Sequence, residues 1–201
     1  MQRLGDGALR MPRPKCDDVG ALLRVVRSWP GVVDASITEE WLAVYFADDV
    51  EAHVEPSLIR SLDALRVRDP RTRSPSREIE IVVRYDGVDL EDVARACEMS
   101  VDRVIALHSS ASYDVLFLGF MPGFAYLEGL PPELEVSRLP SPRTHVPQNA
   151  LAIAGHYTGI YPFASPGGWR LIGTALDVVL FDSARGAYLR AGDRVRFRQA
   201  R

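Results

Sequence analysis

Two side chains offer the widest chemical scope, His108 and Arg143. Imidazole is the side chain whose charge changes near neutral pH, so it can move a proton or orient a substrate. His108 stands at i+7 from Val101, with Val104 and Ile105 between, on the apolar face of a predicted helix. That place suits an imidazole emerging at a pocket mouth, and equally a hydrogen-bonded histidine of the core. Arg143 lies between Pro142 and the segment "THVP". Rigid flanks hold a guanidinium in place for bidentate binding of a carboxylate, or for clamping a carbonyl or an acidic partner.

Three short segments offer a surface for such chemistry. "GFMPGFAYL" carries Phe120, Pro122, Phe124 and Tyr126; "TGIYP" carries Thr158, Gly159, Tyr161 and Pro162; "SPGGW" carries Gly167, Gly168 and Trp169. Glycines let a ligand or another chain approach the backbone, and the rings supply walls. A small polar substrate pocket and an aromatic surface for a protein partner both fit this composition.

Several chemistries lack their signatures. Lys15 is the only lysine, and no G-x-x-x-x-G-K-[ST] loop is present to cradle phosphates. There is no G-x-S-x-G nucleophile elbow, no H-E-x-x-H and no C-x-x-C. The histidines His53, His108, His145 and His156 are scattered, and no metal is expected. A net charge of -3 gives no electrostatic match to nucleic acid as a partner. No apolar run is long enough to span a membrane, and the first residues lack the apolar core of a signal peptide. Cys16 and Cys97 are read as reduced thiols of a cytoplasmic protein.

The elements that must position these residues follow from periodicity. Leu4 to Met11 reads as a strand, and Asp17 or Asp18 as the cap of a helix reaching Ser28. Strands follow at Val32 to Ile37 and Trp41 to Phe46, then a helix from Pro56 to Leu65. This order predicts a small ferredoxin-like α/β domain over residues 1–77, ending in the linker "RDPRTRSPSRE". In residues 78–201, a strand from Glu78 to Tyr85 precedes a helix capped by Asp89 and another capped by Ser100. Beyond Tyr113, short apolar runs between Gly and Pro ("YDVLFLG", "LAIAG", "WRLIG", "DVVLFD", "AYLRAGDRVRF") predict a closed or nearly closed β-barrel. The class is therefore α+β.

The ordered motifs "YDG.DL..VA", "GF.PGFAYL.GLP", "PR..VP", "AIAG..TGIYP", "SPGGW.LIG", "LFD" and "GD.VRF" span about residues 79–198. This series resembles the allophanate hydrolase subunit 1 family, which includes the B subunit of bacterial 5-oxoprolinase (PxpB) and the kinase inhibitor KipI. The resemblance implies a cyclophilin-like barrel for the C-terminal domain. It also implies a subunit 2 partner of the KipA or PxpC type. Two departures stand out. Gln148, Asn149 and Ala150 replace the small residues of the family's "VPAGSVAIAG". "IGTAL" replaces "IGRTP", so the family's arginine after Gly173 is missing.

The function implied is a non-P-loop subunit of a complex that opens 5-oxo-L-proline to L-glutamate with ATP. A PxpA-type subunit is the further partner, and the chain is expected to be inactive alone and to bind no cofactor of its own. Within that reading Arg143 anchors a carboxylate, His108 manages a proton, and N–H groups near Gly167 and Gly168 polarise a lactam carbonyl. The same resemblance also admits a KipI-like inhibitor docking on a sensor histidine kinase, or a component of urea or allophanate metabolism.

Overall fold

The computed structural model describes residues 2–14, 19–49 and 77–200. By internal contacts the chain divides into two compact units, Met1–Ser76 and Arg77–Arg201. The predicted helix cap at Asp17 or Asp18, the helix from Pro56 and the linker up to Ser76 lie outside the described residues, as do Lys15, Cys16 and His53.

In the first unit, β1 (Gln2–Arg3), β2 (Ala8–Pro12), β3 (Val32–Ile37) and β4 (Trp41–Phe46) form an antiparallel sheet in the order β1-β2-β4-β3. The helix α1 (Val19–Arg27) buries Leu22 and Val26, and the sheet buries Leu9, Met11, Leu42 and Val44. The apolar alternation in β4 fixes which face turns inward, because side chains on a strand point to opposite faces in turn. The expected strand Leu4 to Met11 is shorter at its start. Leu4 donates its N–H to the Ala8 carbonyl at 2.9 Å and Gly5 takes φ 69°, so this stretch turns between β1 and β2.

The second unit is built on a closed seven-stranded barrel. Its strands are β5 (Glu78–Arg84), β6 (Ser112–Leu118), β7 (Ala125–Glu128), β9 (Ala150–Ala154), β10 (Tyr157–Ile160), β12 (Arg170–Ala175) and β15 (Arg194–Gln199). Around the barrel they run β10-β7-β6-β15-β5-β12-β9, with β9 pairing back to β10. The pairing of β5 with β15 is parallel and the others are antiparallel. Closure satisfies both edges of every barrel strand, which removes exposed ladders.

Two pairs lie outside the barrel: β8 (Arg143–Val146) with β11 (Ser165–Gly167), and β13 (Phe181–Asp182) with β14 (Gly186–Ala187). "DVVLFD" thus supplies only a two-residue strand. Asp177 takes φ 52°, which ends the extended run before Val178.

Helices α2 (Leu90–Ala96) and α3 (Val101–Ser110) belong to the second unit. Ser100 caps α3 as expected, its side chain accepting the Arg103 N–H at 3.2 Å. Asp89 precedes α2 but makes no side-chain cap. Its carboxylate turns elsewhere, with consequences for the site. Asn149 takes φ 63°. It stands where the family's motif has glycine, and asparagine is among the residues that best tolerate the left-handed region. The "VPQNA" departure therefore keeps the backbone turn that glycine would make.

Candidate functional site

The three predicted segments converge on one aromatic cluster. Phe124, 1% exposed, is its centre. Its ring meets Phe120 at 5.6 Å, Tyr126 at 5.2 Å, Tyr161 at 5.3 Å and Trp169 at 5.3 Å, all edge-on. Edge-to-face contact places the positive rim of one ring on the negative face of another, which favours such angles over sandwich stacking. Tyr126 also stacks on Phe117 at 4.3 Å. Phe120 takes φ 71° and is 62% exposed, so the loop tip presents a bulky ring to solvent in a conformation that non-glycine residues seldom adopt.

Close packing under the cluster demands glycine. A Cβ on Gly123, which has φ 81°, would meet the Leu180 carbonyl at 2.8 Å. A Cβ on Gly167 would stand well inside contact distance of the Tyr161 phenol. That phenol therefore lies directly against β11, whose Gly167 pairs with Arg143 on β8.

Arg143 is clamped from one side. Its Nη2 donates to Asp89 Oδ1 at 2.5 Å, and Asp89 Oδ2 accepts the Leu171 N–H at 2.7 Å. The Asp89 carboxylate, 5% exposed, so ties the start of α2 to β8 and β12. Arg143 Nη1 is buried and has no hydrogen-bond partner. A second arginine, Arg138, lies on the segment before β8. Leu139 donates its N–H to the Gly168 carbonyl at 2.7 Å, and Arg170 Nε donates to the Ser137 carbonyl at 3.3 Å. These bonds hold Arg138 on either side. Burial raises the Tyr161 phenol above its ordinary range, opposed by the Trp169 backbone N–H and the positive charges of Arg138 and Arg143. Burial raises Tyr126 likewise, with Arg138 opposing.

His108 sits deeper. It is fully buried on α3, stacked on Phe197 at 5.0 Å. The Thr158 hydroxyl donates to the Ala152 carbonyl at 3.0 Å, leaving only lone pairs for His108 Nε2, also at 3.0 Å. Nε2 therefore carries the proton, and Nδ1 accepts from the Tyr85 hydroxyl at 2.8 Å. Tyr113 donates to the His108 backbone carbonyl at 2.8 Å. Burial pushes the imidazole down to about 3, because the charged form would lose its water. His108 is a neutral link in a buried chain from Tyr85 to Thr158.

The structure thus separates the predicted residues by depth. Phe120 and Pro122 are exposed, and Tyr126, Arg143, Gly167 and Gly168 are half-buried. Phe124, Thr158, Gly159, Tyr161, Pro162 and Trp169 are buried beneath them. No group of three or more metal-ligating side chains gathers among the described residues. Among the described residues, no helix is long and apolar enough to cross a membrane.

The carboxyltransferase domain, subdomain C and D, matches residues 4–189. The chain belongs to this family. It resembles curated proteins named as the B subunit of 5-oxoprolinase. The protein of Escherichia coli O157:H7 is 52% identical over 128 residues, 61% of this chain and 58% of its own length. That of Haemophilus influenzae is 39% identical over 182 residues, 88% of this chain and 84% of its own. Among solved structures, TTHA0988 matches with a TM-score of 0.76 at 38% identity, over 96% of this chain and 40% of that one. The Kluyveromyces lactis urea amidolyase shares the fold, with a TM-score of 0.69 at 18% identity over 99% of this chain and 14% of that one. The chain thus spans less than two thirds of several relatives.

Three contributors in this family member escape sequence reasoning. Arg138 sits in an irregular stretch with no flanking motif. Asp89 reads as a helix cap, since an aspartate before an apolar helix is the ordinary capping signal. Tyr85 reads as the end of a strand. "PR..VP" and "YDG.DL" were the signals at hand for Arg143 and Asp89, but nothing in their spacing joins residues 54 positions apart.

Proposed function

We propose that this chain is the B-type subunit of a 5-oxoprolinase complex, which opens 5-oxo-L-proline to L-glutamate with ATP. The observation that carries this reading is the 182-residue match, at 39% identity, to the Haemophilus influenzae protein named as the B subunit of 5-oxoprolinase. Partners of the PxpC (KipA) and PxpA types complete the assembly in the cytoplasm, and ATP is handled by the complex. The small N-terminal unit takes a ferredoxin-like fold, and the barrel a cyclophilin-like one.

Opening the lactam breaks the ring C–N bond and adds water across it, giving a carboxylate and an amine. A site for that reaction must hold the substrate carboxylate away from the reacting carbonyl. Arg143 suits that task. Asp89 fixes one guanidinium nitrogen and Nη1 remains a buried donor without a partner, a cost that a carboxylate oxygen would relieve. N–H groups near Gly167 and Gly168 polarise the lactam carbonyl. His108 has no solvent-facing atom and serves as a positioning residue behind Thr158.

The test is reconstitution with A-type and C-type subunits, reading oxoproline-dependent ATP hydrolysis and glutamate formation. The full set turns over and the single chain does not. Arg143→Lys lowers kcat/KM by about tenfold or more, because lysine lacks the planar fork. A reconstituted set with no oxoproline-dependent turnover would sink the reading.

A further inference from the structure

We infer that Phe120, Phe163, Val179 and Phe181 form the core of a docking surface on the second unit, and that its occupant is the C-type partner subunit, which receives the Phe120 ring in an apolar recess. Naming that subunit rests on the proposed function; the docking surface itself does not. Three loops make the surface. Phe120 meets Tyr161 at 6.3 Å, and Phe163, two residues further on, meets Phe181 at 6.0 Å, both edge-on. Gly123 lets the loops close on one another: a Cβ there would lie 2.7 Å from Phe181 Cβ and 2.8 Å from the Leu180 carbonyl. The side chains nonetheless face water. Phe120 is 62% exposed, Val179 65% and Phe163 39%, with Phe181 half-buried.

Charge, strain and rigidity point to a protein occupant. Residues 117–126, 160–169 and 178–181 hold no charged side chain, in a chain that is 25% charged. Exposed aromatic rings without charges are the composition of an interface core, since a charge buried there would have to shed its water. Phe120 holds φ 71°, a conformation that glycine adopts without strain. The fold thus keeps an outward ring where stability alone would favour glycine, and such strain is retained where it serves a function. The loop is braced by the Met121 N–H on the Gly119 carbonyl at 2.9 Å and the Phe124 N–H on the Met121 carbonyl at 3.1 Å. A ring held in place before contact loses little freedom on binding. The relatives indicate what covers it. The match takes in 40% of TTHA0988, where this fold is part of a longer chain, but 84% of the Haemophilus influenzae protein. A unit fused in one relative and nearly whole in another must hold by contact what fusion holds through the chain.

The test titrates the full chain with the C-type subunit of the same organism, reading the Kd by calorimetry, and then follows turnover in the three-subunit set. Wild type forms a saturable complex. Phe120→Gly raises its Kd about thirtyfold or more, the loss of one hot-spot ring. Glycine accepts the left-handed backbone, and unchanged resonances from α3 and β9 verify the fold. Phe163→Ser and Val179→Ser raise the Kd about tenfold. With limiting C-type subunit these two slow oxoproline-dependent turnover, and excess C-type subunit restores kcat at an unchanged KM for oxoproline. Wild-type Kd in all three variants overturns the inference, as does the absence of a saturable complex in wild type. A raised KM that excess partner does not correct overturns it by making the surface a substrate wall. A dimer of this chain alone that Phe120→Gly dissolves overturns it by giving the surface to a second copy. C-type binding that the variants lose, with no oxoproline-dependent turnover by the wild-type set, rejects the 5-oxoprolinase reading and keeps the docking surface.

Discussion

Acidification from about pH 7.5 to about pH 5 is expected to cost the barrel about 2 kcal/mol through His108 alone. In the unfolded chain this imidazole takes up a proton near 6.5, but in the folded chain only near about 3. Between those values the unfolded state binds a proton that the folded state refuses. The stability His108 contributes is therefore complete above about 6.5 and drains away as pH falls toward about 3. At about pH 5 the medium lies about one and a half units below the unfolded value, at about 1.4 kcal/mol per unit. That cost requires the folded imidazole to stay neutral, which the buried acceptors and donors around it enforce. Tyr85 donates to Nδ1, Thr158 accepts from Nε2, and the rings of Tyr113 and Phe197 close the other sides. Hydrogen exchange on peptides from α3 and β15, at both pH values, reads the loss in wild type and in His108→Gln. The difference between the two falls is the His108 contribution, since the carboxylates are common to both. Equal falls in both proteins would refute the reasoning. An imidazolium 15N signature for His108 at about pH 5, in place of a neutral Nε2–H tautomer, would refute it independently.

Asp89→Asn should destabilise the second unit by about 2–4 kcal/mol, because it strips a buried partner from Arg143, itself 28% exposed; urea unfolding monitored by the ring signals of the cluster measures it. Gly167→Ala should cost about 1–3 kcal/mol, since a methyl group there displaces the Tyr161 phenol, which is 1% exposed. Tyr161→Phe in the same chain should recover part of that loss, and a strictly additive double variant would show that the two do not touch.

The sequence was legible wherever a short-range pattern carried the information. The strands Val32–Ile37 and Trp41–Phe46 follow from their alternation and their bounding turns. The cap at Ser100 follows from its place before an apolar helix, and the barrel from a run of short strands separated by glycine and proline. "GFMPGFAYL" was recognisable as unusual because its rings beside glycines suit neither a plain loop nor a regular strand. Local propensity also misleads where a side chain has a better partner far away. Asp89 could cap its own helix, but a half-buried arginine 54 residues on and the Leu171 N–H bind it more strongly than an exposed amide.

What sequence alone determined about this protein is its class of fold, its family resemblance and the list of residues able to do chemistry. Tertiary structure alone decided their depth and company. His108 and Arg143 look equally chemical in sequence. Closure of the barrel seals one behind Thr158 without solvent, and leaves the other with one guanidinium nitrogen on Asp89 and another without a partner. The reason is physical: burial and charge pairing depend on which strands meet, and strand pairing joins residues whose separation along the chain carries no periodic signal.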